Sequence, residues 1–185
     1  MKLAIFTNSI VGVNLAYFLH NNKHKIEYIF TNDLSIANHF RKTPVIYYKE
    51  LQKSYLENID LGVVAVFNII PKHIFEIPKY GMINLHYSLL PAYGGPIPLY
   101  WQIKNNEKIT GVTVHFISSK IDGGKIIIQK STKLIKNIKK MELILQPIGQ
   151  KTVLKAIAKI IKYGRDTPPI ISKTKESYYS FSSKK

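Results

Sequence analysis

The chain has 185 residues, 45% of them hydrophobic and 21% charged, with a formal net charge of +16 and no cysteine. That suits one globular domain whose core needs no cross-link, and it excludes disulfide frameworks, thiolate metal centres and a cysteine nucleophile. The charge will concentrate anions near the surface, but only Arg41 and Arg165 among the 27 basic residues are arginine, so the arginine-rich stripe of a nucleic-acid footprint is missing.

Lys2–Thr7 is a short apolar run, which Thr7-Asn8-Ser9 closes as a helix N-cap. The run is too short and too soon interrupted for a signal peptide, and no apolar stretch approaches the ~20 residues of a membrane span. A soluble, cytoplasmic protein is expected. Val11, Leu15, Phe18 and Leu19 recur at helical spacing; Lys25–Thr31 then alternates as a strand. A short helix (Leu34–Arg41), a strand (Pro44–Tyr48) and a weak helix near Glu50–Glu57 follow. Leu61–Phe67 is a continuous β-branched run, as in a strand buried on both faces. Pro71 suits the first turn of a brief helix, and Gly81–Leu85 resumes as a strand. This alternation predicts a parallel α/β sheet with right-handed crossovers.

The second half begins with a Pro-, Gly- and Tyr-rich loop from Leu85 to Pro98. Ile97–Lys104 reads as a helix bearing the lone tryptophan, Trp101; Thr110–Ile117 and Lys125–Lys130 read as strands. A long helical pattern runs from Ile138 to Tyr163, with Pro147 starting or kinking its main part. We expect residues 1–164 to form the domain and residues 165–185 a polar C-terminal tail.

In an open α/β sheet, ligands bind beyond the carboxyl ends of the strands. Thr7–Ser9, Asn84–His86 and Ser118–Gly124 all fall there. Asn84 and His86, two apart on a strand, share a side, and Asp122 is a candidate to join them. Each has a plainer reading: a hydrogen-bonded structural histidine, an asparagine turn former, an Asp-Gly-Gly hairpin turn. His20, His24, His39, His73 and His115 show no metal-ligand spacing and receive no role. No dinucleotide fingerprint, Walker loop or nucleophile elbow is present. Periodicity alone names no reaction.

Gly81-Met82-Ile83-Asn84-Leu85-His86-Tyr87-Ser88-Leu89-Leu90-Pro91, then Tyr93-x-Gly95, Pro98 and Trp101, then Thr110-Gly111-Val112-Thr113-Val114-His115 and Asp122-Gly123-Gly124, resemble the folate-dependent formyltransferases. The likeness is strong from Gly81 to about Gln129 and weak but colinear from Met1. It implies a single Rossmann-like, mostly parallel sheet flanked by helices, of the formyltransferase type. It also implies formyl transfer from 10-formyltetrahydrofolate, as co-substrate and without a metal, to a primary amine through a tetrahedral intermediate. Asn84, His86 and Asp122 would be catalytic: Asn84 donating to the growing oxyanion, worth ~3–4 kcal/mol, His86 hydrogen-bonding that oxygen or accepting the ammonium proton, and Asp122 orienting His86, stabilising its cation or relaying a proton through water.

The resemblance further implies a pterin pocket from Phe67, Asn68 and Ile69 with Ile117 and Ile121. Thr7, Asn8, Ser9, Tyr87, Ser88 and Tyr93 would bind the acceptor substrate. Among acceptors, the Asn-Leu-His-x-Ser-x-Leu-Pro pattern and Trp101 most resemble the nucleotide-sugar N-formyltransferases of lipopolysaccharide O-antigen synthesis. The expected partner is therefore a nucleoside-diphosphate amino sugar, with no membrane and no nucleic acid, and a homodimer by likeness. Methionyl-tRNA, glycinamide ribonucleotide and a non-catalytic folate- or RNA-binding role are the alternatives. Gly94 departs from the arginine that relatives carry in Tyr-Arg-Gly.

Overall fold

The computed structural model describes Met1–Phe181; the last four residues of the expected tail lie outside the described residues. Five strands lead: β1 (Lys2–Phe6), β2 (Lys25–Thr31), β3 (Val45–Tyr47), β4 (Leu61–Val64) and β5 (Met82–His86). β6 (Ile109–Phe116) and β7 (Ile126–Lys133) complete a mostly parallel seven-stranded sheet in the order β3-β2-β1-β4-β5-β6-β7. The helices are α1 (Ile10–Asn21), α2 (Ser54–Glu57), α3 (Lys72–Phe75), α4 (Pro98–Lys104) and α5 (Ile138–Tyr163). Chain contacts group Met1–Asn84 and Leu85–Lys185 into two compact units, so the boundary falls inside β5.

In the first unit β1 is central, pairing in parallel with β2 and β4. Leu3, Ala4, Ile5 and Phe6 are all 0% exposed, as a strand covered on both faces requires. Phe6 stacks on Phe30 with centroids 4.8 Å apart. Ser9 caps α1 by accepting from the Val11 amide, and α1 buries Val13, Leu15, Ala16 and Leu19.

Several expected bounds shift for physical reasons. Leu34–His39 is a 3₁₀ turn capped by Asp33, not an α-helix. β4 stops at Val64, not at Phe67: the backbone turns left-handed at Val66 (φ 57°), which a strand cannot contain. The helix over Glu50–Glu57 reduces to a 3₁₀ turn at Tyr48–Glu50 and the four-residue α2.

In the second unit β6 and β7 form an antiparallel pair, from Ile109↔Lys133 to His115↔Ile126. This pair is the exception to an otherwise parallel expectation. α5 packs on both strands, burying Met141, Leu145, Val153, Ala156, Ile157 and Ile160. Pro147 lies inside this one helix and does not start it; the N–H it lacks would have bonded the carbonyl of Leu143, a residue 70% exposed. No helix among the described residues is long and apolar enough to cross a membrane.

Candidate active site

β5 carries Asn84, half-buried, and His86, 7% exposed, on the same side of the strand. Between them Leu85 points the other way and is buried. After His86 the chain enters a loop fastened from inside. Ser88, fully buried, donates through its hydroxyl to Ala92 at 2.7 Å. Thr113 of β6 donates to the Ser88 carbonyl (2.7 Å), and its oxygen accepts from the Leu90 amide (3.1 Å) and from Gln129 (2.9 Å). The Gln129 amide also donates to the Leu90 carbonyl at 2.7 Å.

At the far side of this loop the Tyr93 carbonyl meets Nε2 of His86 at 2.9 Å. A carbonyl only accepts, so Nε2 carries the hydrogen and the basic lone pair of the neutral ring lies at Nδ1. Nδ1 faces Asp122, with Oδ2 3.8 Å away. The Gly95 amide donates to the same Oδ2 at 2.8 Å. The other oxygen, Oδ1, lies 3.5 Å from Nε2 of His115, a ring whose Nδ1 bonds the Phe116 carbonyl at 2.9 Å.

Burial dominates the electrostatics of His86, holding its pKa below the ordinary value against the pull of Asp122 and the Tyr93 carbonyl. For Asp122, burial pushes upward. The contact with His115, the charge His86 carries once protonated and the Gly95 amide outweigh it and hold the carboxyl at about 2. The pair is thus a neutral imidazole beside a carboxylate, ready to accept one proton between them.

His115 is the member that spacing did not reveal. The signal was present: a histidine on a strand as buried as β6 must have a polar partner. Tyr93, Ile97 and Asp122 are all non-glycine residues with left-handed backbones (φ 59°, 52° and 49°), a concentration of strain characteristic of functional loops. A cavity of about 600 Å³ opens beside Asp122 and is lined by Leu90, Gly94, Ile121, Ser177 and Tyr178. Its size lies within the range of small-molecule sites.

The remaining expected residues take varied positions. Ile117 is half-buried and Ile121 is 43% exposed. In the first unit the Phe67 ring packs edge-on against Phe6 (5.6 Å) and Tyr48 (5.0 Å), whereas Ile69 is 72% exposed. Oδ1 of Asn68 accepts from both Asn8 (2.9 Å) and Asn32 (2.8 Å). Thr7 is 0% exposed, and its hydroxyl serves the turn by donating to the Ser9 carbonyl and accepting from the Ser9 amide. Asn8 and Ser9 are half-buried. Tyr87 keeps its hydroxyl buried with no partner among the described residues, and burial first, then Glu142, pushes its pKa well up. Tyr93 donates its hydroxyl to Glu107 at 2.6 Å; burial and that bond push its pKa up to about 12. No cluster of three or more His, Cys, Asp or Glu able to hold a metal is present among the described residues.

The sequence model described as formyl transferase matches residues 20–151, which include Asn84, His86, His115 and Asp122. The chain belongs to the formyl transferase family. Methionyl-tRNA formyltransferase of Thermodesulfovibrio yellowstonii is 43% identical over 102 residues, covering 54% of this chain and 33% of that protein. The chain spans between 19% and 43% of the length of eight curated relatives it matches. Among solved formyl transferases, a 4-N formyltransferase from Francisella tularensis superposes with a TM-score of 0.80 at 20% identity, covering 98% of this chain and 77% of that one. The N-formyltransferase from Helicobacter canadensis, crystallised with folinic acid and dTDP-3-aminofucose, gives 0.76 at 22% identity over 99% and 72%.

Proposed function

We propose that this chain transfers a formyl group from 10-formyltetrahydrofolate to the primary amine of a nucleotide-linked amino sugar. The observation that carries the reading is the buried His86–Asp122 pair, with Nε2 committed to the Tyr93 carbonyl and Nδ1 left as the single basic nitrogen facing the carboxylate.

The donor would supply an activated one-carbon acyl group. The residues present fit such a molecule: Ile121 offers exposed apolar surface at the cavity beside Asp122, and a pterin needs apolar cover with a few fixed polar groups. Ile117 and Ile121 would hold it. In the reaction Asn84 donates an amide N–H to the oxygen that gains charge. His86 takes the proton shed by the amine at Nδ1, the Asp122 carboxylate stabilises the resulting imidazolium, and the same proton passes to the donor nitrogen that leaves as its bond to the formyl carbon breaks. Asn8, Ser9, Tyr87, Ser88 and Tyr93 belong to the segments assigned to the acceptor; of these, Ser88 acts by shaping the loop because it is fully buried.

A sugar acceptor is supported by two similar solved structures, one described as a sugar 3N-formyl transferase and one crystallised with dTDP-3-aminofucose, and a diphosphate suits a chain of charge +16. Methionyl-tRNA is the second reading, favoured by the 43% identical relative. Incubating the protein with 10-formyltetrahydrofolate and a panel of 3-amino and 4-amino dideoxysugar nucleotides, glycinamide ribonucleotide and methionyl-tRNA decides between them. Turnover of an amino sugar with weak salt dependence is the expected result. Formylation of methionyl-tRNA alone, falling steeply with added salt, would reverse the choice, and no turnover of any acceptor would remove the reading.

A further inference from the structure

The C-terminal segment runs alongside the loop that follows His86. Thr174 donates to the Leu89 carbonyl at 3.0 Å, and the Ser177 amide donates to the Pro91 carbonyl at 3.1 Å. The Gly94 amide then donates to the Ser177 carbonyl at 2.9 Å, and the Tyr179 amide to the Gly94 carbonyl at 2.9 Å, as a short parallel bridge. The Tyr93 amide donates to the Ser177 hydroxyl at 2.9 Å. The Tyr179 ring lies between Tyr93 (5.4 Å, 9°) and Trp101 (4.9 Å, 18°), and its hydroxyl accepts from Asn105 at 2.8 Å.

These contacts meet the site through two consecutive peptide groups. A trans peptide is planar, with its N–H and C=O pointing in opposite directions, so fixing one end fixes the other. In the peptide joining Tyr93 to Gly94, the N–H is held by Ser177 and the opposite C=O receives Nε2–H of His86. In the next peptide, the C=O of Gly94 is held by Tyr179 and the opposite N–H, that of Gly95, grips Oδ2 of Asp122. Tyr93 is left-handed (φ 59°), a conformation a tyrosine keeps only when its surroundings enforce it.

We propose that Ser177 and Tyr179 are positioning residues, aligning His86 and Asp122 through the two peptide planes on either side of Gly94. This rests on the reading of His86 and Asp122 as the catalytic pair. A segment apart from the reacting groups thereby fixes both the tautomer of the base and the aim of its carboxylate.

The decisive measurement is the long-range ¹H–¹⁵N spectrum of His86 in the full chain, followed through a pH titration for the wild type and for Tyr179→Ala, Tyr179→Phe and Ser177→Ala. Asp122 and His115 are the titratable groups facing His86, and they stay in place in every variant. The wild type should show the Nε2–H tautomer. Tyr179→Ala frees the segment, mixes the tautomers and raises the titration midpoint as water reaches the ring; Tyr179→Phe, which keeps the stack and the amide, restores the wild-type spectrum. In turnover, kcat of Tyr179→Ala should drop roughly 10- to 100-fold with little change in KM, the cost of misaligned groups. Should Tyr179→Ala lose its native circular dichroism, Ser177→Ala, which removes only the hydroxyl bond to Tyr93, decides in the same direction with a smaller shift. An unchanged His86 spectrum and midpoint in a folded Tyr179→Ala protein overturns the proposal. A wild type that shows the expected His86 response yet formylates nothing overturns the enzymatic reading and not this one.

Discussion

The Nε2–H of His86 donates to the carbonyl of Tyr93 at 2.9 Å, seven residues along the chain. This leaves one nitrogen for proton transfer and directs it at Asp122. Because burial holds the His86 pKa below the ordinary value of 6.5, the ring stays neutral and basic into mildly acidic solution. The kcat profile for formyl transfer should therefore rise with pH through a midpoint below that of a free histidine and stay flat above it. A midpoint near or above 7 would contradict the burial seen here.

Asp122→Asn keeps the shape of the side chain and removes the charge that stabilises protonated His86. Turnover should fall at least about a hundredfold, and the acid limb should move to still lower pH, because the largest opposing influence on the ring is gone. Stability tests the same group. The carboxyl titrates at about 2 in the folded chain against 3.8 when unperturbed, so it contributes on the order of 2 kcal/mol above pH 4, which is lost as pH falls toward 2. Wild type should melt above Asp122→Asn at neutral pH, with the gap closing in acid.

Thr113 is buried and bonded to Ser88, Leu90 and Gln129. Thr113→Val leaves a carbonyl, an amide and a side-chain amide short of a partner and should cost about 1–3 kcal/mol in chemical denaturation. A loss under 0.5 kcal/mol would mean that the loop after His86 is held by other contacts.

Adjacent glycines should respond in opposite ways. At Gly94 an added Cβ meets only ordinary contacts, the nearest being the Ser177 carbonyl at 3.5 Å; Gly94→Ala should shift stability by less than about 0.5 kcal/mol. Gly95 has φ +94° and its Cβ would collide with the Tyr179 carbonyl, so Gly95→Ala should cost about 1–3 kcal/mol and depress kcat by moving the amide that grips Asp122. Thermal melts and turnover of the two variants check the contrast.

The pattern of strands and helices was legible because the core strands are short apolar runs punctuated by turn formers; Lys25–Thr31 and Ile138–Tyr163 appear with the expected bounds. The end of β4 was not, since nothing in a run of valines and phenylalanine announces a left-handed turn at Val66. Asn84 and His86 were readable as a same-side pair from two-residue periodicity. His115 carries no spacing signal along the chain, because its link to Asp122 is made across the turn between β6 and β7. The segment after Thr174 read as a polar tail, and its role depends on backbone groups, which composition does not encode.

Val66 carries a branched side chain at φ 57°, 53% exposed, while its carbonyl accepts from the Asn8 amide at 2.9 Å. Glycine would sit there without strain, relieving about 1–3 kcal/mol. Yet glycine also widens the freedom of the unfolded chain by up to about 1 kcal/mol. Val66→Gly should therefore raise the melting temperature of the first unit while speeding amide exchange through residues 65–70, so that thermal endurance and local order part company at one position.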